Sequence, residues 1–398
     1  MKTNTLSTDS NKRNNMSSVF SVKQTETFRK ELHCYPELSG KEEHTAQRII
    51  KFLEPSKPDQ VIRNIGGHGL AFIYDSKQPG PVILFRTDMD ALPIQEINRF
   101  DYASKSEGIA HKCGHDGHMA IMAHFAGKIA KRAPKRGKAV LLFQPAEETG
   151  EGAEKVIKDN QFERIKPDMA FALHNLPGFP KHEIIVRKNT FASASKGMII
   201  KLKGVTSHAG EPENGINPAK AMANIMNQFL ELPNYSLFRD FTLVTLIHAR
   251  LGERAFGTSA GYGELMATLR SYRNDDMELL SEKAERIAGL AAEEQNLKFE
   301  VEYTEEFPAT VNDDECNSLI MNAAKQESLK IVNPDTPFRW SEDFGQFTER
   351  FPAALFGLGS GTEQPQLHNP DYDFPDEIIT TGAQMFFNIY NKILVIND

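Results

Sequence analysis

His111, Cys113, His115, Asp116 and His118 fall within eight residues, and each can bind a metal ion or move a proton. Cys113 and His115 are close enough to offer two ligands from one short turn, and Gly114 and Gly117 leave the backbone free to bend around an ion. A second informative pair is Glu147-Glu148. Adjacent residues at a strand end point in different directions, so one carboxylate can bind a metal while its neighbour faces a substrate. That division suits hydrolysis, in which a metal lowers the pKa of a bound water and a free carboxylate takes its proton and returns it to the leaving group. His174 follows an apolar run, and His368 lies in Gln-Leu-His-Asn-Pro. Each has an ordinary alternative: a glutamate is usually solvent-exposed, and a lone histidine can simply be a satisfied strand-end residue. Together, however, Cys113, His115, Glu148, His174 and His368 make five donors of types that suit zinc-like ions. Five are too many for one tetrahedral site and right for two metals sharing a bridge. A thiolate can bridge, and a metal would deprotonate Cys113 outright.

The elements that must position these residues are legible as apolar runs ending in polar clusters. Runs at 69–74 and 82–85 read as strands, the second ending in Arg86-Thr87-Asp88-Met89-Asp90. Asp88 and Asp90 flank Met89 and so point the same way in an extended chain; the alternative is a turn opening toward Pro93. Further strands at 139–143, 169–173 and 353–358 end in Gln144-Pro145-Ala146-Glu147-Glu148, in His174-Asn175, and in a Gly-rich turn leading to His368. Short apolar runs separated by helices predict a mostly parallel sheet, and ligands collect beyond the carboxyl ends of such strands. Helices are expected with Phe28 and Leu32 on one face, after a capping box formed by Ser39 and Glu42, and over 118–132.

Between residues 191 and 306 the pattern changes. Strand 198–203, helix 218–230, strands 242–250 and 264–272, helix 277–294 and strand 298–303 spell β-α-β-β-α-β, the ferredoxin-like order. Asn217 and Pro218 read as N-cap and first helical residue. The expected fold is therefore α/β: a mostly parallel-sheet catalytic domain (21–190 and 307–398) with an inserted ferredoxin-like α+β domain (191–306).

Composition narrows the function. The chain has 398 residues, 40% hydrophobic and 25% charged, with net charge -8. It lacks the basic stripe a nucleic-acid face needs. Its three cysteines, Cys34, Cys113 and Cys316, do not form a disulfide framework and point to a reducing compartment. Residues 1–20 are rich in Asn, Ser, Thr and Lys, with no apolar run long enough for a signal peptide or membrane span, and read as a disordered tail on a cytoplasmic protein.

Six ordered segments, Arg86 to Pro93, Cys113-Gly114-His115-Asp116-Gly117-His118, Gln144 to Glu148, Ser207-His208-Ala209-Gly210, Ser341-Glu342-Asp343-Phe344 and Leu367-His368-Asn369-Pro370, resemble the M20 metallopeptidase family. The likeness is to its amidohydrolase branch, which includes hippurate hydrolases, N-acetyl-diaminopimelate deacetylases and plant auxin-conjugate hydrolases. The resemblance implies two divalent ions per subunit, zinc, manganese, cobalt or nickel. Cys113 would bridge them, with Glu148 and His368 completing one ion and His115 and His174 the other. Glu147 would be the general base and Asp90 a residue that orients a ligand. Where other branches carry a metal-binding histidine this chain has Asp88, and His115 would take over that duty. The inserted domain would be a lid that also forms a homodimer, with His208 reaching the neighbouring subunit's site to hold the oxyanion. Arg270 sits where the family grips a substrate carboxylate. Gly257 stands where relatives have a substrate-holding amide, which makes recognition the least conventional part. Asp116 and His118 are then left to helix-start or supporting roles, and His111 to a loop.

These readings converge on a metal-dependent amidohydrolase acting on a small N-acyl amino acid, with a dipeptidase or carboxypeptidase of the same family as the nearest alternative. A non-catalytic binding protein that kept the fold is the alternative from another class.

Overall fold

A computed structural model describes residues 18–233 and 236–396. The first seventeen residues of the expected N-terminal tail lie outside the described residues. Its last three do not behave as a tail: Val19 N donates to Gly127 O, and Phe20 is buried.

Helices α1 (Val22–Cys34) and α2 (Glu43–Leu53) precede a hairpin of β1 (Gln60–Ile65) and β2 (Gly69–Asp75). Then come β3 (Val82–Asp88), α3 (His115–Lys131), β4 (Lys138–Gln144), α4 (Gly152–Lys158), β5 (Met169–Pro177) and β6 (Ile184–Ile185). Strand β1 carries no clear signal in the sequence because Gln-Val-Ile-Arg-Asn-Ile is half polar; within it only Ile62 and Ile65 are buried. The capping box at Ser39 is not formed. Helix α2 starts at Glu43 without a side-chain cap, because Ser39 Oγ donates instead to Asp90 Oδ2 (2.6 Å) and Glu42 Oε1 accepts from Ala146 N (2.8 Å).

The chain leaves this unit through β7 (Asn189–Ala192) and builds β8 (Ala194–Lys203), β9 (Ser207–His208), α5 (Ala219–Glu231), β10 (Thr242–Leu251), β11 (Thr258–Ser259), β12 (Tyr262–Ser271), α6 (Asn274–Glu293) and β13 (Lys298–Phe307). Strands β10-β12-β8-β13 form an antiparallel sheet with the expected β-α-β-β-α-β order. Apolar faces of α5 and α6 pack on it, and alternation along β12 buries every second residue, so this sheet has its own core. Helix α5 begins at Ala219, one residue later than expected, with Asn217 Oδ1 accepting from Ala219 N. Return is through β14 (Thr310–Asn312), which pairs with β7, followed by α7 (Asp314–Gln326), β15 (Ile331–Val332), α8 (Gly345–Thr348), β16 (Ala353–Gly361) and α9 (Ile379–Tyr390).

The large sheet runs β1-β2-β4-β3-β5-β16-β6-β15. Its central strands, β4-β3-β5-β16, are mutually parallel and buried on both faces, which explains their unbroken apolar runs. The pairs β1/β2, β2/β4 and β6/β16 are antiparallel. The carboxyl ends of the four parallel strands therefore lie side by side, and the chemistry-bearing residues gather beyond them. Among the described residues, no helix is long and apolar enough to cross a membrane.

Candidate metal centre and active site

Strand ends and one helix start deliver the site. Helix α3 begins at His115 because Gly114 turns the chain with φ 92°, a conformation open to glycine, and a Cβ there would lie 2.7 Å from Asn175 Oδ1. Gly117 is equally constrained, since its Cβ would meet the Phe374 ring at 2.2 Å. After β4, Ala146 adopts φ 54° and swings Glu147 and Glu148 over the sheet; His368 takes φ 66° in its loop. Two non-glycine residues held in the left-handed region beside one cluster mark a place where side-chain direction outweighs backbone comfort. The backbone N–H of His368 donates to Lys112 O (2.8 Å), which ties the C-terminal loop to the Cys113 loop.

Donor atoms of Cys113, His115 and His174 lie within 4.8 Å of one another, as do those of Cys113, Glu148 and His368, so the thiol is common to both groups. Both buried histidines have their tautomers set by the backbone. His174 Nδ1 is 2.9 Å from Asn175 O and His115 Nδ1 is 2.9 Å from Asp90 O. A carbonyl only accepts, so each Nδ1 carries a hydrogen and each ring turns its Nε2 toward the cluster. Neither His115 Nε2 nor Glu148 Oε1 has a hydrogen-bond partner; they face one another at 3.7 Å.

The electrostatics show a site short of positive charge. Asp88, Asp90, Glu147, Glu148, Glu342 and Asp343 gather near Arg86, the one permanent cation that pairs with any of them among the described residues, at 2.9, 2.8 and 2.6 Å from Asp88, Glu342 and Asp343. Burial pushes the Cys113 thiol well up, and Glu148 and Glu147 push it further. Burial raises Glu148 to about 8 against the opposing charge of His115. Burial resists a charge on His115, but Asp88, Asp90 and Glu148 outweigh it and raise the ring to about 10. Unpartnered donors, a thiol, imidazoles and excess carboxylate fit divalent ions of the zinc type.

Glu147 adjoins the cluster, with a carboxyl oxygen within 4.8 Å of donor atoms of His115 and Glu148, and borders a second acidic group. Its carboxyl lies with those of Glu342 and Asp343 and 3.9 Å from His115 Nε2. Burial raises it well above the usual carboxylate range, followed by Glu342, Glu148 and Asp343, with Arg86 opposing. Asp90 sits behind: Oδ2 accepts from Ser39 Oγ and Glu148 N (3.0 Å), and Oδ1 lies 3.4 Å from His115 Nδ1.

Cys113, Glu147, Glu148, His174 and His368 open into a cavity of about 570 Å³ between the two sheets, which Arg270 of β12 enters from the far side. Arg270 Nη1 donates to Arg339 O (2.8 Å) and Ser341 Oγ (2.9 Å), and the guanidinium makes no ion pair among the described residues. Of the ten candidate residues, His208 and Gly257 stand apart. They lie next to each other on the exposed β9/β11 ribbon, with Ala209 N donating to Gly257 O, and neither lines the cavity of its own chain.

Sequence reasoning assigned no role to a buried layer beneath the cluster. His33 of α1 joins Asp116 (2.8 Å) to Glu96 (3.0 Å), Lys112 Nζ donates to Glu96, and Arg29 pairs with Asp116, Asp373 and Asp376. Asp116 thereby pins the first turn of α3. Arg29 and His33 share a helix face by their spacing, but no local signal names their partners. His118, expected in a supporting role, bonds Asp88 Oδ1 (2.7 Å) and Asn175. His111 is buried, with no hydrogen bond to either ring nitrogen. Phe179, Phe338 and Trp340, which line the cavity, also escaped notice.

Residues 84–392 match the family described as peptidase family M20/M25/M40. An uncharacterized hydrolase of Staphylococcus haemolyticus is 29% identical over 376 residues, covering 92% of this chain and 96% of the relative. Among solved structures, a putative aminohydrolase from methicillin-resistant Staphylococcus aureus superposes with TM-score 0.85 at 24% identity, covering 94% of this chain and 97% of that one. The YXEP protein of Bacillus subtilis, described as a dinuclear metal binding peptidase from the M20 family, superposes with TM-score 0.80 at 25% identity over 94% of this chain and 98% of that one.

Proposed function

The chain belongs to peptidase family M20/M25/M40 and is a metal-dependent hydrolase, and from that premise we propose that it cleaves the amide bond of an N-acyl amino acid. The observation that carries this reading is the shared cavity: a donor cluster and a separate carboxyl, Glu147, on one side, and a guanidinium without an ion-pair partner, Arg270, on the other.

In this reading Cys113, His115, Glu148, His174 and His368 hold two divalent ions, which when bound would acidify a water and polarise the scissile carbonyl. Glu147 takes the proton of the attacking water and later gives it to the departing amine. Its crowded, buried setting raises its affinity for a proton, which helps it take one from the attacking water, and the departing amine, a stronger base than a carboxylate, draws that proton off again. Arg270, fixed by Arg339 O and Ser341 Oγ, keeps donors for the substrate carboxylate. Asp90 acts through others, holding the Glu148 backbone and the His115 ring.

We take residues 21–190 and 307–398 as the catalytic domain, and 191–306 as a lid that pairs with a second copy and offers His208 to the partner's site. Exposed Ile247 and Leu251 on β10, an edge strand of the small sheet, and fully exposed Phe256 nearby support such a contact. A second reading, dipeptide hydrolysis, is favoured by Glu305. This residue lines the same cavity from a bulge in β13 with φ 51° and could take a free ammonium group. Assaying the metal-reconstituted protein on N-acetyl amino acids, N-benzoyl amino acids and dipeptides decides between them. Inactivity on all three with metal bound would overturn both.

A further inference from the structure

We infer that the cavity selects a large apolar, preferably aromatic, side chain on the amino-acid half of the substrate, and that Trp340 and Phe338 are the surface that reads it. The inference rests on Arg270 holding the substrate carboxylate, as proposed above.

A run of ring contacts starts at the metal centre and leads outward. The His174 ring lies 5.5 Å from Trp340; Trp340 stacks on Phe338 at 5.1 Å with an interplanar angle of 27°; and Phe338 meets Phe179 edge-on at 6.2 Å. All four line the cavity, and the three apolar rings are only half-buried, so the wall presents apolar area to whatever fills the space. It is also rigid. Phe338 N donates to Phe191 O, and Ser193 N to the carbonyls of Phe338 and Trp340, while the Phe191 ring backs Phe338 at 5.1 Å. A wall already in place requires little ordering on binding.

The position of Arg270 decides which half of the substrate meets this wall. Its guanidinium is bonded to Arg339 O and Ser341 Oγ, the two residues flanking Trp340. The carboxylate anchor is therefore fastened to the same four-residue segment, 338–341, that carries the aromatic surface. In an N-acyl amino acid the carboxylate and the side chain share the α-carbon, so a carboxylate held at Arg270 brings the side chain, rather than the acyl group, against Trp340. Burying an aromatic side chain there should favour it at least tenfold over hydrogen.

The test uses the metal-loaded full chain and compares kcat/KM for N-acetyl-L-phenylalanine, N-acetylglycine and N-benzoylglycine in the wild type, Trp340→Ala and Trp340→Phe. The expected result is a preference for N-acetyl-L-phenylalanine over N-acetylglycine of at least tenfold, carried mainly by KM. It should fall to a few-fold in Trp340→Ala and be largely restored in Trp340→Phe. A tenfold preference for N-benzoylglycine over N-acetylglycine that disappears in Trp340→Ala would overturn the assignment in favour of the acyl half, and so would a phenylalanine preference that Trp340→Ala leaves intact. Trp340 is the sole tryptophan in the chain, so its fluorescence gives a second measurement independent of turnover. Titrating N-acetyl-L-phenylalanine into metal-loaded Glu147→Gln should change the emission at concentrations at least tenfold below those needed for N-acetylglycine. Equal responses would overturn the inference. Absence of turnover on every substrate, together with the expected fluorescence response, would instead remove the hydrolytic reading and leave the wall in place.

Discussion

His115 Nδ1 donates to the backbone oxygen of Asp90 over 2.9 Å, while a side-chain oxygen of the same aspartate lies 3.4 Å from that nitrogen. One residue therefore sets both the tautomer and the tilt of the ring. Its other side-chain oxygen accepts from Glu148 N, so two proposed ligands hang on one residue. Asp90→Ala should weaken metal binding about 10–100-fold. Metal titration of the apo protein followed by activity would read this, and saturating metal should restore much of the turnover. An unchanged titration curve would remove Asp90 from the role.

Glu147→Gln keeps the shape of the side chain but removes the proton acceptor. Turnover should fall on the order of 10²–10⁴-fold, with metal content by elemental analysis and substrate KM little changed. Near-normal kcat would exclude Glu147 as the base.

Chelation should abolish activity and also lower thermal stability, because the uncompensated carboxylates around Arg86 repel one another once the cations leave. A fall in Tm of roughly 5–10 °C is expected for a ligand bound well above its Kd. Calorimetry before and after dialysis against a chelator measures it, and re-addition of one divalent ion should reverse it.

Arg270→Ala should raise KM at least tenfold for substrates with a free α-carboxylate, a loss in line with one or two charge-assisted hydrogen bonds. The corresponding carboxamides, bound poorly by the wild type, should be nearly indifferent. If acid and amide lose equally, the guanidinium grips something else.

His33 supplies a pH signature. Burial opposes its charge, and so does Arg29, but Asp116 and Glu96 raise it from 6.5 to about 9. A group whose folded pKa is raised stabilises most at low pH. Its contribution is complete below about 6.5 and is lost as pH climbs through about 9, at most roughly 3 kcal/mol. Tm should therefore decline more steeply across this window in the wild type than in His33→Gln, whatever the variant's absolute stability. Parallel slopes would show that the ring is already neutral in the fold.

Much of this architecture is legible in the sequence. Buried parallel strands must be apolar throughout, so 82–85, 139–143, 169–173 and 353–358 announced themselves, and with them the polar clusters at their ends. Residues whose meaning depends on a distant partner were silent. Ser39 and Glu42 have capping-box spacing, yet the oxygens serve Asp90 and Ala146, more than fifty residues away. Strand β1 is half polar because the edge of the large sheet leaves half of it in water. The layer of Arg29, His33, Glu96 and Lys112 consists of residue types that are normally solvated, and only the fold reveals them as buried and paired. Trp340 lies in an irregular segment with no periodicity to interpret.

Strands β7 and β14 are where the chain departs from and rejoins the large unit, and Ala192 and Thr310 are direct cross-strand partners. The inserted unit thus stands on two feet that touch. Its addition or loss leaves the strand order of the large sheet unchanged, as a room built onto a single doorway leaves the house plan intact. Changes on the Arg270 side of the cavity can therefore be made without disturbing the parallel strand ends beside Glu147, Glu148 and His174.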